Sequence, residues 1–205
     1  MLEAVGSFDE IVYNMPPAFT NKISYISLNY PSNLIKQQEI MINLGGSETN
    51  LIATDIMRKN ILLDERFKYN YGLAYLYGNN DMPCYTAFIR KPSSEPNHYK
   101  DNINDLYDGE PQTRDKMKAY SFIALLTDPV NFYTLKSVFY DYIIKARHSS
   151  KVGMIKITKR LKYLPRFRFE YTPYGPELVY HNYLELDSKL MLFSFSHSDA
   201  ALPNS

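Results

Sequence analysis

The residue types most able to do chemistry lie near the C-terminus, where "FSFSHSD" (193–199) gathers Ser196, His197 and Asp199. A hydrolytic triad needs hydroxyl, imidazole and carboxylate to converge on one point. Neighbours in an extended strand point to opposite sides, so Ser196 and His197 diverge and no triad is expected.

The other candidates are weaker in the same way. "LGGSETN" (44–50) suggests a phosphate loop but lacks the lysine and outer glycine of that motif, so it reads as a turn. "NDLYDGEP" (104–111) sets Asp105, Asp108 and Glu110 around Gly109, without the ligand offsets that calcium loops require. His98, His148, His181 and His197 form no metal-ligand spacing with one another or with Cys84, although His181 and His197 are candidates for neighbours in adjacent strands. Cys84, following Pro83, reads as a small buried side chain. No catalytic, cofactor-binding or metal-ligating residue is expected, and the protein reads as a binder rather than an enzyme.

One segment points to a partner. Residues 145–168 carry nine Lys or Arg and no Asp or Glu, while the first 141 residues carry 17 acids against 13 bases. Within "KITKRLKYLPRFRFEY" (156–171), Lys156, Lys159, Arg160, Lys162, Arg166 and Arg168 are the candidate partner-binding residues. Two uses compete. The cations meet phosphates while Tyr163, Phe167 and Phe169 stack on bases. Or strand alternation sends Arg166 and Arg168 to solvent and Phe167 and Phe169 to the core, leaving an outer basic face for an acidic protein or anionic surface. The second is preferred, because one residue cannot serve both sides of a covered sheet.

The elements that position these residues follow from periodicity. Strands are expected within 8–20, over 22–30 and over 38–44; 49–67 fits either a helix or two short strands. "KYNYGLAYLY" (68–77) and "PCYTAFIR" (83–90), separated by Gly78-Asn79-Asn80-Asp81, read as a β-hairpin. Residues 91–113 read as a long polar loop. "AYSFIALL" (119–126) reads as a strand. Asp128 and Pro129 then supply an N-cap and first position for a helix over about 129–147, with Phe132, Leu135, Phe139, Ile143 and Ala146 as its core stripe. From Lys151 to His197 a four-stranded antiparallel meander is expected, turning at "TPYGPE" and at Asp187-Ser188.

The chain of 205 residues fits a single α+β domain, in which the long helix covers the meander in a sandwich of α/β/α type. Nineteen tyrosines and no tryptophan favour β-structure and contact surfaces. The net charge of +1 gives no global drive toward polyanions. A lone cysteine allows no intrachain disulfide; cytoplasmic location and a periplasmic or lipid-anchored one after leader removal are both consistent. No apolar run is long enough to span a bilayer.

The order of elements over 119–197, ending in "RFRFEYTPYGPELVYHNYLELDSKLMLFSFSHSD", resembles the Mog1/PsbP-like fold, including lipoproteins of the DcrB type. The resemblance implies a non-enzymatic protein that assists or binds a larger protein partner, and it carries over no functional residue. The alternative is a nucleic-acid- or polyanion-binding protein, viral or from a mobile element, using the basic segment 145–168. An enzyme whose site is assembled from residues distant in sequence is the third reading.

Overall fold

The computed structural model describes residues 10–14, 25–29, 35–64, 66–107 and 110–198. Asp108, Gly109 and Asp199 lie outside them, as do the flanks of the first two expected strands. Those strands are present as β1 (Glu10–Asn14) and β2 (Tyr25–Asn29), paired antiparallel with Glu10 opposite Asn29. Helix α1 (Lys36–Asp64) and the short strand β3 (Arg66–Lys68) come next. Helices α2 (Tyr69–Phe88), α3 (Glu95–Leu106) and α4 (Arg114–Thr127) follow, then α5 (Pro129–Leu135), which widens into a π-helical run over Lys136–Ile144. Strand β4 (Ser149–Lys151) pairs back onto β3. The meander closes the chain as β5 (Ile155–Lys156), β6 (Leu161–Thr172), β7 (Gly175–Leu186) and β8 (Lys189–Ser198), in that order across an antiparallel sheet. The fold is α+β with the expected C-terminal meander.

The turns of the meander follow from local chemistry. Asp187 and Ser188 both sit at positive φ (48° and 66°), the pairing that a two-residue type I′ hairpin demands. Asp187 also receives the Arg160 guanidinium, Nε at 2.6 Å, so the hairpin tip is clipped to the loop before β6.

Several expected strands are helical. The 38–44 strand, the "LGGSETN" turn and the ambiguous 49–67 stretch all belong to α1 through Asp64. The expected hairpin over 68–90 is α2, with Pro83 inside it. Its buried positions are Gly72, Tyr75, Gly78, Asn79, Met82, Pro83, Thr86 and Ala87, spaced by three or four residues as one helical stripe requires. Half of that stripe is not apolar, so hydropathy alternation among the tyrosines outweighed it in the sequence. Residues 119–126 lie in α4, which Thr113 caps by accepting from the Lys116 N–H at 3.3 Å. The polar loop contains α3, whose Tyr99 and Ile103 are buried four residues apart.

The helix after Asp128 begins as expected, with the Asp128 carboxylate accepting from Val130 N–H at 2.9 Å. Its orientation is the reverse of the expected one. Val130, Asn131, Thr134, Ser137, Val138 and Asp141 are buried, while Phe132, Leu135, Phe139 and Ile143 are exposed. The inward polar groups find partners of their own: Thr134 donates to the Val130 carbonyl at 2.7 Å, and Asn131 accepts from Asn79 and Asn80 at 3.2 Å. This helix shares the covering of the sheet with others. Ile61, Leu62, Tyr75 and Val130 pack with Leu164 and Tyr183 on one side. Met117 and Ala124 of α4, with Tyr99 and Ile103 of α3, pack on Phe169. Tyrosine hydroxyls stitch helix to sheet: Tyr99 and Tyr107 donate to the carbonyls of Thr172 and Pro173 at 2.7 and 3.0 Å.

Candidate functional site

Two features compete for function: a buried charge network and the open side of the meander. The network begins with Arg58 in the C-terminal third of α1, whose side chain has no exposed surface. Its guanidinium donates to Tyr75 Oη (Nη2 at 2.6 Å), to Asn79 Oδ1 at 2.8 Å and to Asp55 one turn earlier. Tyr75 Oη in turn donates to Asp128 Oδ2 at 2.8 Å, and Asn79 donates to the same oxygen at 3.1 Å. Asp128 thus serves as helix cap and as the anion at the centre of the core.

Arg166 and Arg168 enter the network from β6. Arg166 is 2% exposed; its Nε lies 3.4 Å from Asp128 Oδ2 and its Nη2 donates to Asn79 at 3.1 Å. Arg168 is paired with Asp55 and with Glu170. Three guanidiniums and three carboxylates therefore balance in one cluster, as burial of charge requires. Burial pushes the Asp55 carboxyl up, but the neighbouring Arg58 and Arg168 outweigh it and hold it below its ordinary range.

The expectation that Arg166 and Arg168 face solvent is overturned. Phe169 is fully buried on the other side of the strand, and Phe167 is half-buried, so arginine and phenylalanine both point to protein. Arg166 finds Asp128 only because α5 starts beneath β6, a relation no local pattern carries. Of the remaining candidates, Arg160 is held by Asp187 and Lys162 by Glu185 at 2.9 Å, while Lys156 and Lys159 stand exposed. The six therefore form no single basic face. Arg58, Tyr75 and Asn79, which sequence reasoning missed, carried one available signal: their spacing within helical stripes.

Catalytic arrangements are weak among the described residues. Ser196 and His197 alternate along β8, and His197 lies opposite Leu178 while His181 lies opposite Ser194, so the two histidines are not cross-strand partners. His181 Nδ1 is 3.1 Å from Ser194 Oγ, the geometry of a base beside a hydroxyl. Burial and the nearby Arg168 push this imidazole down to about 4, too weak a base to activate a serine near neutral pH. A cleft of about 300 Å³ is lined by Leu62, Val152, Met154, Lys156, Lys162 and Glu185, with no hydroxyl, thiol or imidazole. No group of metal-ligating side chains is gathered among the described residues, and no described helix is long and apolar enough to cross a membrane.

The open side of the meander is the second feature. Register places Phe167 opposite Tyr180 and Tyr180 opposite Phe195, so the three rings form one row across β6, β7 and β8. Phe167 and Tyr180 stack with centroids 4.7 Å apart, and Tyr163 Oη bonds Tyr180 Oη at 2.7 Å and Asn182 Oδ1 at 2.6 Å. Met191, Phe193 and Phe195 continue this side, the last two 50% and 67% exposed. Helices α3 and α4 close the same side only at its Phe169 end. The residues of the open part are Ile155, Tyr163, Phe167, Tyr180, Asn182, Leu184, Met191, Phe193 and Phe195, and the exposed Lys189 stands at its turn end. Lys156, Lys162 and Glu185 are cross-strand partners on the opposite side. Comparison with protein-family models, with curated proteins and with solved structures gave no match to this chain.

Proposed function

We propose that the protein is a non-enzymatic binding or accessory protein that works by protein–protein contact through the open side of its meander. The observation that carries this reading is the aromatic surface built by Phe167, Tyr180, Phe193 and Phe195. Exposed contiguous apolar surface on a folded domain marks an interaction site, and aromatic residues supply most of the anchoring contacts in protein interfaces. The geometry of the ion pairs supports the same reading, since the buried arginines and carboxylates are spent on one another.

Nucleic-acid binding is the second reading, favoured by one observation: an antiparallel sheet with open aromatic rings can stack bases. Phosphate contacts then have to come from cations beside the rings. Lys156 and Lys162 lie on the other side of the sheet, Arg166 lies in the core, and Arg168 is held by Asp55 and Glu170.

A photo-reactive amino acid placed at Tyr180 and, separately, at Lys159 separates the readings in the cells of origin. Crosslinks to a polypeptide from Tyr180 and none from Lys159 are expected. Crosslinks to nucleic acid, with retention on heparin at about 100 mM salt, would replace this reading with the second.

A further inference from the structure

The apolar stripe of α5 and its π-helical run faces outward. Phe132, Leu135, Phe139, Tyr140, Ile143 and Ile144 are 42–70% exposed, while the opposite side of the helix is buried. Cations stand around this stripe. Lys136 lies on the same exposed side, with its amine 3.4 Å from Asp141 Oδ2. Lys145 Nζ sits over the Tyr140 ring, 4.5 Å from its centre. Ala146, at φ 50°, ends the helix, and Arg147 N–H turns back to the Asp141 carbonyl at 2.8 Å, which leaves the Arg147 side chain exposed beside the last turn. From Pro129 to Arg160 the chain holds one acid, Asp141, and it is 3% exposed.

We propose that α5 with its π-helical run is a membrane-surface element, which lays this stripe into the interface of an anionic lipid bilayer. A helix with aromatic and aliphatic residues on one side and cations beside them settles at the boundary between headgroups and acyl chains. The rings and branched chains leave water there. Lys136, Lys145 and Arg147 have stems long enough to lie along the apolar layer with their charged ends among lipid phosphates and carboxylates. This surface is on the helices and is separate from the open side of the meander.

Charge and hydrogen bonding favour a bilayer over other occupants. A second copy seated on the stripe would bring a second set of cations and no exposed acid to match them. An acidic protein would match the cations. Protein interfaces, however, carry about one hydrogen bond per 100–200 Å², and the six apolar side chains offer a single polar group, the Tyr140 hydroxyl. A bilayer asks for no hydrogen bonds within its apolar layer and supplies the negative charge at its rim.

The chain contains no tryptophan, so Phe139→Trp places a single fluorescent reporter in the stripe. The probes are vesicles of phosphatidylcholine with about 30 mol% phosphatidylserine, and vesicles of phosphatidylcholine alone. On the anionic vesicles the F139W emission should shift to the blue and become shielded from acrylamide. Partitioning should be at least about tenfold weaker on phosphatidylcholine alone and should fall as salt rises. I143S/I144S and K145Q/R147Q should each lower partitioning onto anionic vesicles by at least about tenfold. All four side chains are exposed, so circular dichroism should not change. I52S/I56S, which removes two exposed isoleucines of α1, should leave partitioning as it was. No partitioning by the unmodified protein, a tryptophan that stays in water on the vesicle, or an I143S/I144S variant that binds undiminished overturns the proposal. Retention on immobilised polyglutamate with none on vesicles also overturns it, and assigns the stripe to an acidic protein.

Discussion

Arg166 Nε and Asp128 Oδ2 lie 3.4 Å apart with both side chains closed to solvent, one from the second strand of the meander and one from the cap of α5. The pair joins sheet to helices at the point where Arg58 and Tyr75 also converge on Asp128. A buried pair of this kind adds little net stability, yet removing one member is costly where the other is left without further partners.

The two members are not equivalent. Replacing Asp128 by Ala leaves Arg58 and Arg166 short of their shared anion and removes the cap, and should cost about 3–5 kcal/mol in urea unfolding. Replacing Arg166 by Met should cost about 1 kcal/mol, because Asp128 keeps Tyr75, Asn79 and the Val130 N–H, and because Arg166 Nε and Nη1 have no hydrogen-bond acceptor to lose. Equal costs would remove Asp128 from the centre of the network.

Phe169 and Phe167 should separate in the same way. Phe169→Ala empties a fully buried site against Met117 and Ala124, and should cost about 3–5 kcal/mol. Phe167→Ala removes a half-buried ring stacked on Tyr180 and should cost about 1 kcal/mol. Equal losses near the larger figure would mean that the outer side of the sheet is covered in solution.

His181 should make stability fall with acid. Its pKa is pushed from 6.5 to about 4, by burial first and then by Arg168. Above pH 6.5 the imidazole is neutral folded and unfolded, and contributes no slope. Between pH 6.5 and about 4 the unfolded chain takes up the proton and the folded one does not, so unfolding free energy declines as pH falls. Denaturant titrations across that window should show the decline, and His181→Leu should flatten it.

Gly78 should resist the usual gain from replacing a helical glycine. A Cβ there would stand 2.8 Å from Thr54 Cγ2, where α1 and α2 cross. Gly78→Ala should therefore destabilise by about 1–3 kcal/mol despite the better helix propensity. Thr54→Ser removes the obstructing methyl, so the double variant should recover most of the loss in a double-mutant cycle. Additive effects would mean that the helices move apart freely.

The sequence by itself determined the C-terminal half well. Alternation in β6, β7 and β8 and the residues at Asp187-Ser188 are local properties, and a hairpin meander is assembled from local properties. The start of α5 at Asp128-Pro129 was equally legible, since a cap bonds its own next residues. The rejection of a Ser196–His197 pair needed only the two-residue repeat of a strand. The helical identity of α2 and α4 needed the tertiary structure, because their buried stripes mix Tyr, Asn, Ser, Thr and Gly with apolar residues. Such a stripe is stable inside only when partners arrive from far along the chain, as Arg58 does for Tyr75 and Asn79. The same reason governs Arg166. In isolation a strand arginine belongs in water, and only a carboxylate 38 positions earlier, delivered by the packing of α5 under β6, makes the core the better place for it.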